Sequence, residues 1–387
     1  MGRITIIILL ATAGMLLGVR ASHAGAYLSS AHGSTSYGVS RSGIDQYTQG
    51  HCAHCHEQHS SIGGDEPTPT GGPSPYLLFS ENSVSQTDNF CYGCHVAVGG
   101  YQVGAVTNNL SYSYTFGGNT ANYDTDIKDA FGHLTTGSSH HLPSIASQML
   151  GTAKVDINGN AWTLPADLNP CDACHNPHLA QRNAPVSIQS QLLKTAISRP
   201  SDHENLWGDD DTERMDATGM YQAPYWFGST TRYEPDNDTT ADGSNLPDFA
   251  TYCTDCHNKD NTIYSSNPCL EDGPRNLRNV DWTDSGDKHG GNDGSPIELQ
   301  APYLAKLPTN IILSCTDCHE PHGSVTNIFL LRTTINGVAA SMPDETNTSY
   351  INICTSRCHG AGVLGDARHR KTSKACNECH RHGDGHF

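Results

Sequence analysis

Positive charge is scarce in this chain of 387 residues, which has 22 lysines and arginines against 40 aspartates and glutamates and a formal net charge of −18. Binding to nucleic acid or to an anionic membrane surface is therefore not expected, because both depend on basic side chains that contact phosphates. Aromatic residues make up only 7% of the chain. Few segments can bury a continuous apolar face, so we expect something other than side chains to form much of the interior.

Long apolar runs are also lacking after the N-terminus. Arg3 precedes the run ITIIILLATAGMLLGV, and the small residues of ASHAGA follow it. This pattern predicts a secretory signal peptide over residues 1–24. A retained membrane anchor is the alternative, but the run is shorter than the roughly 20 apolar residues that a span needs. We therefore expect an exported protein, located in the periplasm, on the outer surface or outside the cell, with no membrane span after signal removal.

Cysteine and histidine, in contrast, are abundant, with 15 and 22 copies. Fourteen cysteines fall in seven motifs, of which six read C-x-x-C-H and the sixth in order, CTSRCH, has three intervening residues. Numbered 1 to 7 along the chain, the motifs contain the cysteine pairs Cys52 and Cys55, Cys91 and Cys94, Cys171 and Cys174, Cys253 and Cys256, Cys315 and Cys318, Cys354 and Cys358, and Cys376 and Cys379, followed by His56, His95, His175, His257, His319, His359 and His380. Cys269 lies outside the motifs and is predicted to be a structural or free thiol.

Three chemistries use closely spaced cysteines, and one of them also needs the histidine. In a haem site the two thiols form thioethers with the porphyrin, and the adjacent imidazole binds the iron. Zinc sites and disulfides, the two alternatives, do not require a histidine after every second cysteine. We therefore interpret the motifs as attachment sites for seven covalently bound haem c groups. In motif 6 the loop must bulge to keep both thioethers.

The second axial ligand of each iron is expected to be histidine. Methionine is the usual competitor, but two of the six methionines, Met1 and Met15, lie in the signal peptide. Three histidines recur three residues after a motif histidine, in CHEQH, CHNPH and CHEPH, and we expect each to serve a neighbouring haem, because helical spacing would place it beside an occupied ring. With five loop histidines, whose alternative role is a solvated surface side chain, they give eight candidates: His32, His59, His140, His178, His203, His289, His322 and His369. Six others are weaker candidates: His51, His54, His133, His141, His382 and His386.

The segments HCAHCHEQHSSIGG, NPCDACHNPH and LSCTDCHEPHG resemble haem-binding stretches of the multihaem c-type cytochromes of metal-reducing bacteria. Their order is similar to that in an extracellular hexahaem member that polymerises into conductive filaments. The resemblance covers the haem-binding segments, and this chain differs in having seven motifs, one of them expanded. It implies electron transfer to external acceptors, a homopolymer, and a role for His59 as a ligand to a haem of the next subunit.

The fold is expected to be mostly irregular, with short α-helices and a few short β-hairpins wrapped around a haem array. Residues 25–387 are predicted to form one continuous heptahaem array. Helices are predicted at or after several motifs, from Pro143 in PSIASQML and from Ser187 in SIQSQLLKTAI. The dipeptide Asn158-Gly159 in KVDINGNAWTL predicts a tight hairpin turn.

Two classes of function compete. The first is an electron carrier rather than an enzyme, with mostly bis-histidine haems and with other redox proteins or extracellular acceptors as partners. The second is a multihaem oxidoreductase with one open haem that acts on a small nitrogen or sulfur compound, which requires a vacant iron position and nearby acid–base groups. Abundant histidines and the absence of a C-x-x-C-K motif favour the carrier. A structural filament whose conductivity is incidental is a third, minor reading.

Overall fold

The computed structural model describes residues 27–56, 76–101, 126–178, 253–265, 275–277 and 315–359, apart from gaps of at most four residues inside these ranges. The predicted signal peptide, motif 7, Cys269 and the helix predicted from Ser187 lie outside the described residues. So do four candidate ligands, His59, His203, His289 and His369.

Four α-helices occur in the described ranges: α1 (Ile127–Phe131), α2 (Leu142–Met149), α3 (Cys315–Cys318) and α4 (Asn347–Arg357). Helix α2 confirms the helix predicted from Pro143, which lies in its first turn, where a missing backbone N–H does no harm. Helix α1 starts where the Asp126 carboxylate accepts a hydrogen bond from the Asp129 backbone N–H at 2.8 Å. In the described part of the chain, every helix is too short or too polar to cross a membrane.

Motifs 1 to 3 each form a single 3₁₀ turn, at Cys52–His54, Phe90–Gly93 and Pro170–Ala173. The turns start at a side chain that accepts a backbone N–H: His51 in motif 1, Asn89 in motif 2 and Asn169 in motif 3. Motif 5 forms α3, and α4 contains the first cysteine of motif 6. The short helical structure predicted at the motifs is confirmed at these five.

Within the ranges that the structure describes, eight short strands form four antiparallel pairs. They are β1 (Ser138–Ser139) with β6 (Gly323–Ser324), β2 (Lys154–Val155) with β3 (Ala161–Trp162), β4 (Ile263–Ser265) with β5 (Arg275–Leu277), and β7 (Thr334–Ile335) with β8 (Val338–Ala339). The β2 and β3 pair is the hairpin predicted from the sequence, and Gly159 in its connection has φ +83°, which glycine adopts without strain. Strands β1 and β6 join distant segments, so the region around α2 is fixed beside motif 5.

Among the described residues, buried apolar side chains gather in small clusters. The largest of the three described here contains Met149, Leu150, Trp162, Leu164 and Ala173, with Cys256 of motif 4 packed against it. A second contains Tyr92, Phe131 and Leu142, with Cys171 of motif 3 at its edge. A third contains Ile328, Leu331 and Met342, with Cys318 of motif 5 at its edge. Each of these clusters therefore positions a motif cysteine.

Candidate functional site

The same type of backbone hydrogen bond closes the turn in each described motif. In motifs 1 to 5 the backbone N–H of the motif histidine donates to the carbonyl of the first cysteine, at 2.8 to 2.9 Å. In motif 6 the N–H of His359 donates to the carbonyl of Cys354 at 2.9 Å, although one more residue intervenes. The inserted residue therefore leaves the histidine hydrogen-bonded to that carbonyl. Cys358 lies outside the described residues, so the bulge expected for CTSRCH stays a prediction.

Four motif histidines lie ring to ring with a histidine from a distant part of the chain. The ring centres are 6.1 Å apart for His56 and His178, 6.0 Å for His95 and His32, 5.9 Å for His175 and His322, and 6.2 Å for His257 and His140. All four partners are among the eight candidate distal ligands. Ring packing alone does not explain why the four distances agree so closely, since stacked or edge-on aromatic pairs span a wide range from about 4.5 to 7 Å.

A single metal ion held between the two imidazoles would account for the spacing. An imidazole nitrogen lies about 2 Å from a bound first-row metal, and the ring centre lies about 1 Å behind that nitrogen, so two imidazoles that bind one metal from opposite sides would have centres about 6 Å apart. The four observed separations of 5.9 to 6.2 Å match this value. The residues of motifs 1 to 4 therefore fit a six-coordinate haem iron.

Hydrogen bonds to backbone carbonyls fix how several of these rings are presented. His56 Nδ1 donates to Tyr76 O at 2.9 Å, His32 Nδ1 to Pro177 O at 2.7 Å, and His319 Nδ1 to Phe329 O at 2.8 Å. His140 Nδ1 makes the same type of contact with Pro321 O. With the proton held on Nδ1, Nε2 carries the lone pair that binds a metal, as is usual for metal-binding histidines.

Burial also keeps five of the paired imidazoles neutral. It lowers the pKa of His95 to about 4 and that of His175 to about 3, and nearby imidazoles add to both shifts. Burial likewise lowers the pKa of His32, His140 and His178 below the usual value for histidine. A neutral imidazole is the form that binds a metal, so these sites need not lose a proton when a metal binds at neutral pH.

Motif thiols adjoin one another in the order of the chain. Burial raises the pKa of Cys55 to about 12, and the thiols of Cys94 and Cys91 in the next motif add to the shift. The same proximity continues between later motifs: Cys171 raises the pKa of Cys91, Cys174 raises that of Cys256, and Cys315 raises that of Cys253. Motifs 1, 2, 3, 4 and 5 are therefore successive neighbours in space.

In motifs 3 and 5, the segment C-H-x-P-H contacts the histidine pairs of the two preceding motifs. In motif 3, His178 pairs with His56 of motif 1, and the Pro177 carbonyl holds His32, the partner of the motif 2 histidine. In motif 5, His322 pairs with His175 of motif 3, and the Pro321 carbonyl holds His140, the partner of the motif 4 histidine. In both cases the trailing histidine reaches back two motifs.

Three of the weaker candidate histidines have other contacts. His54 is 1% exposed, its Nδ1 accepts from the Arg41 backbone N–H, and its Nε2 lies 3.0 Å from the Thr48 carbonyl. His141, next to His140, lies at the start of α2 with Nδ1 2.8 Å from Ser144 Oγ. His51 caps the turn of motif 1 and stacks on Tyr47. These rings stabilise local structure.

Sequence reasoning missed the residues that orient the motifs. Asn89 and Asn169 each stand two residues before the first cysteine of motifs 2 and 3, and they hydrogen-bond to each other. The recurring N-x-C signal was readable, but the contact between the two copies was not. Arg41, whose guanidinium lies 4.1 Å from the Phe79 ring centre, was also missed because nothing local marks it.

Two further observations bear on what the sites could hold. The Tyr92 hydroxyl and the Trp162 indole N–H are buried and find no hydrogen-bond partner among the described residues. Both lie in clusters that pack against motif cysteines. Buried donors of this kind suit an acceptor that the polypeptide does not supply, such as a haem propionate.

Within the same described ranges, no three side chains of His, Cys, Asp or Glu gather as a metal site. Comparison of the chain with models of known protein families, with curated proteins and with solved structures finds no match.

Proposed function

We propose that this protein is an exported multihaem c-type cytochrome that carries electrons over long distances through seven covalently bound haem groups. The observation that carries the proposal is the set of four imidazole pairs whose ring centres lie 5.9 to 6.2 Å apart. Each pair joins a C-x-x-C-H histidine to a histidine distant in sequence, which is the arrangement that a bis-histidine haem requires.

The chain itself has three tasks in this proposal. The motif cysteines hold each haem by thioether bonds, the motif histidine and its partner complete the iron coordination, and the backbone carbonyls of Tyr76, Pro177 and Pro321 orient three of the rings. The haem supplies an iron that can change its charge by one electron. Because motifs 1 to 5 are successive neighbours, electrons have a continuous route through the described part of the protein.

The competing function is a multihaem oxidoreductase with an open iron position. In motifs 1 to 4 a second histidine already faces the motif histidine, so an open position would have to lie in motifs 5, 6 or 7. The carrier therefore accounts for more of the geometry. We propose no catalytic residues.

Polymerisation into an extracellular conductive filament is a further part of the proposal. His178 and His322 each reach back two motifs. His59 has the same spacing after motif 1, which is the first motif in this sequence. We propose that His59 serves a haem of another copy, and that the filament delivers electrons to external acceptors or redox partners.

Carbon monoxide binding tests the carrier against the enzyme. CO occupies a ferrous haem only where one axial position is open or weakly held. The carrier predicts that the dithionite-reduced protein remains low-spin and binds no CO. Rapid uptake of one CO per chain would support the oxidoreductase instead. Electron microscopy of the secreted protein tests the filament, and monodisperse particles under native conditions would count against it.

A further inference from the structure

Motifs 2 and 3 contact each other through equivalent residues. Asn89 Nδ2 donates to Asn169 Oδ1 at 3.2 Å, and Asn169 Nδ2 donates back to Asn89 Oδ1 at 2.9 Å. Cys91 and Cys171, two residues further on in each motif, also lie close together, since Cys171 raises the pKa of Cys91, and the Cys171 thiol lies 3.8 Å from Asn89 Oδ1. Motifs 2 and 3 therefore meet at equivalent positions of their turns.

Each asparagine also accepts a second hydrogen bond, which fixes the position of its side chain. Asn89 Oδ1 also accepts the Cys91 backbone N–H at 3.0 Å, and Asn169 Oδ1 accepts the Cys171 backbone N–H at 2.9 Å. An amide oxygen has two lone pairs, so one side chain can cap its own turn and bind its counterpart. The side chains are only 2% and 5% exposed, and buried amides are costly to leave unpaired.

These contacts connect the amide pair rigidly to the cofactor anchors. Each cap fixes the backbone of the first cysteine, and the first cysteine would carry one thioether of its haem. A shift between the two amides would therefore move the two anchors relative to each other. The buried ring of Tyr92, between the cysteines of motif 2, packs in the cluster that also contacts Cys171.

We propose that the reciprocal Asn89 and Asn169 hydrogen bonds are a positioning device that sets the stacking geometry, and thereby the electronic coupling, of the haems on motifs 2 and 3. This inference rests on the proposed function, since it requires haem at both motifs. Neither asparagine contacts iron in this account; both act through the backbone of the first cysteine. Similar pairing is not expected between motifs 4 and 5, because no asparagine precedes Cys253 or Cys315 by two residues.

Two double variants separate the amide pair from the caps. The double variant Asn89→Asp with Asn169→Asp keeps both cap acceptors. It removes both cross-motif donors and places two carboxylates against each other. Asn89→Ser with Asn169→Ser also keeps a cap acceptor at each turn and adds no charge. The single variants Asn89→Asp and Asn169→Asp are the matched controls, because the remaining amide can still donate to the new carboxylate.

Circular dichroism in the Soret region of the haem-loaded full chain reports the stacking geometry, since the exciton couplet of closely stacked haems depends on their distance and relative orientation. We expect both double variants to weaken the couplet while the single variants resemble the wild type. Haem content by intact mass and the low-spin absorption spectrum should not change, because His32, His95, His175 and His322 are untouched.

Each other outcome would count against the inference. An unchanged couplet in both double variants would show that the amide pair does not set the geometry. A weakened couplet in the Asp double variant alone would assign the effect to charge. Loss of haem or of low-spin character in the Ser double variant would show a merely structural role. A wild-type chain without haem would instead refute the proposed function.

Discussion

The adjacent residues His140 and His141 offer a sharp test of the assigned iron ligands. His140 lies with its ring centre 6.2 Å from that of His257, and its Nδ1 contacts the Pro321 carbonyl. His141, one residue later, starts helix α2 and its Nδ1 lies 2.8 Å from Ser144 Oγ. His140→Ala should therefore open the motif 4 haem, and His141→Ala should open none.

The number of haems that His140→Ala should change follows from the pairing of one distal histidine with each motif histidine. One of seven motifs loses one of two imidazoles, so one haem in seven should become high-spin in the ferric state and bind CO when reduced. The other haems keep their ligands, so the remaining six should still give the low-spin spectrum. His141→Ala should leave the spectrum unchanged and lower stability slightly, by about 0.5–1.5 kcal/mol for one lost hydrogen bond.

The assay is a CO titration of the dithionite-reduced variants, with haem content measured on the same samples. We expect one CO per chain for His140→Ala and none for His141→Ala or the wild type. The ligand assignment would be refuted if His140→Ala kept seven haems and bound no CO. It would also be refuted if His141→Ala bound CO in its place.

Three further predictions follow from other parts of the structure. Leu164 is 1% exposed in the largest apolar cluster, so Leu164→Ala should lower the free energy of unfolding by about 2–5 kcal/mol in denaturant titrations, whereas Leu28→Ala, at a position 59% exposed, should not. Burial raises the pKa of Asp172 to about 7. Its carboxylate forms above that pH and favours ferric iron, so the midpoint potential should fall as pH rises through about 7, and Asp172→Asn should flatten this fall in redox titrations; an unchanged slope would contradict the placement of Asp172 beside a haem. Cys269→Ala should retain seven haems by mass spectrometry, and a loss of one would show that Cys269 is an anchor.

Local structure was predictable wherever a short sequence signal decides it. Pro143 marks the start of α2, and Gly159 allows the turn between β2 and β3. The motif cysteines and histidines were readable because the same spacing, C-x-x-C-H, recurs along the chain. Such signals involve neighbouring residues, so they do not depend on how the rest of the chain packs.

The pairing of distant residues was not predictable, because tertiary packing decides it. The sequence nominated His178 and His322 as ligands for a neighbouring haem, but nothing in it showed that each reaches back two motifs to His56 and His175. The contact between Asn89 and Asn169 joins residues 80 positions apart. No periodic sequence pattern indicates a contact between residues so far apart in the sequence, because helical and strand periods extend over only a few residues.

Intact mass of the purified protein under denaturing conditions tests the central claim most directly, because thioether-bound haem survives unfolding. We expect the mass of the mature polypeptide plus seven haem groups, including one on the expanded motif at Cys354 and Cys358. A mass equal to the bare polypeptide would contradict the account.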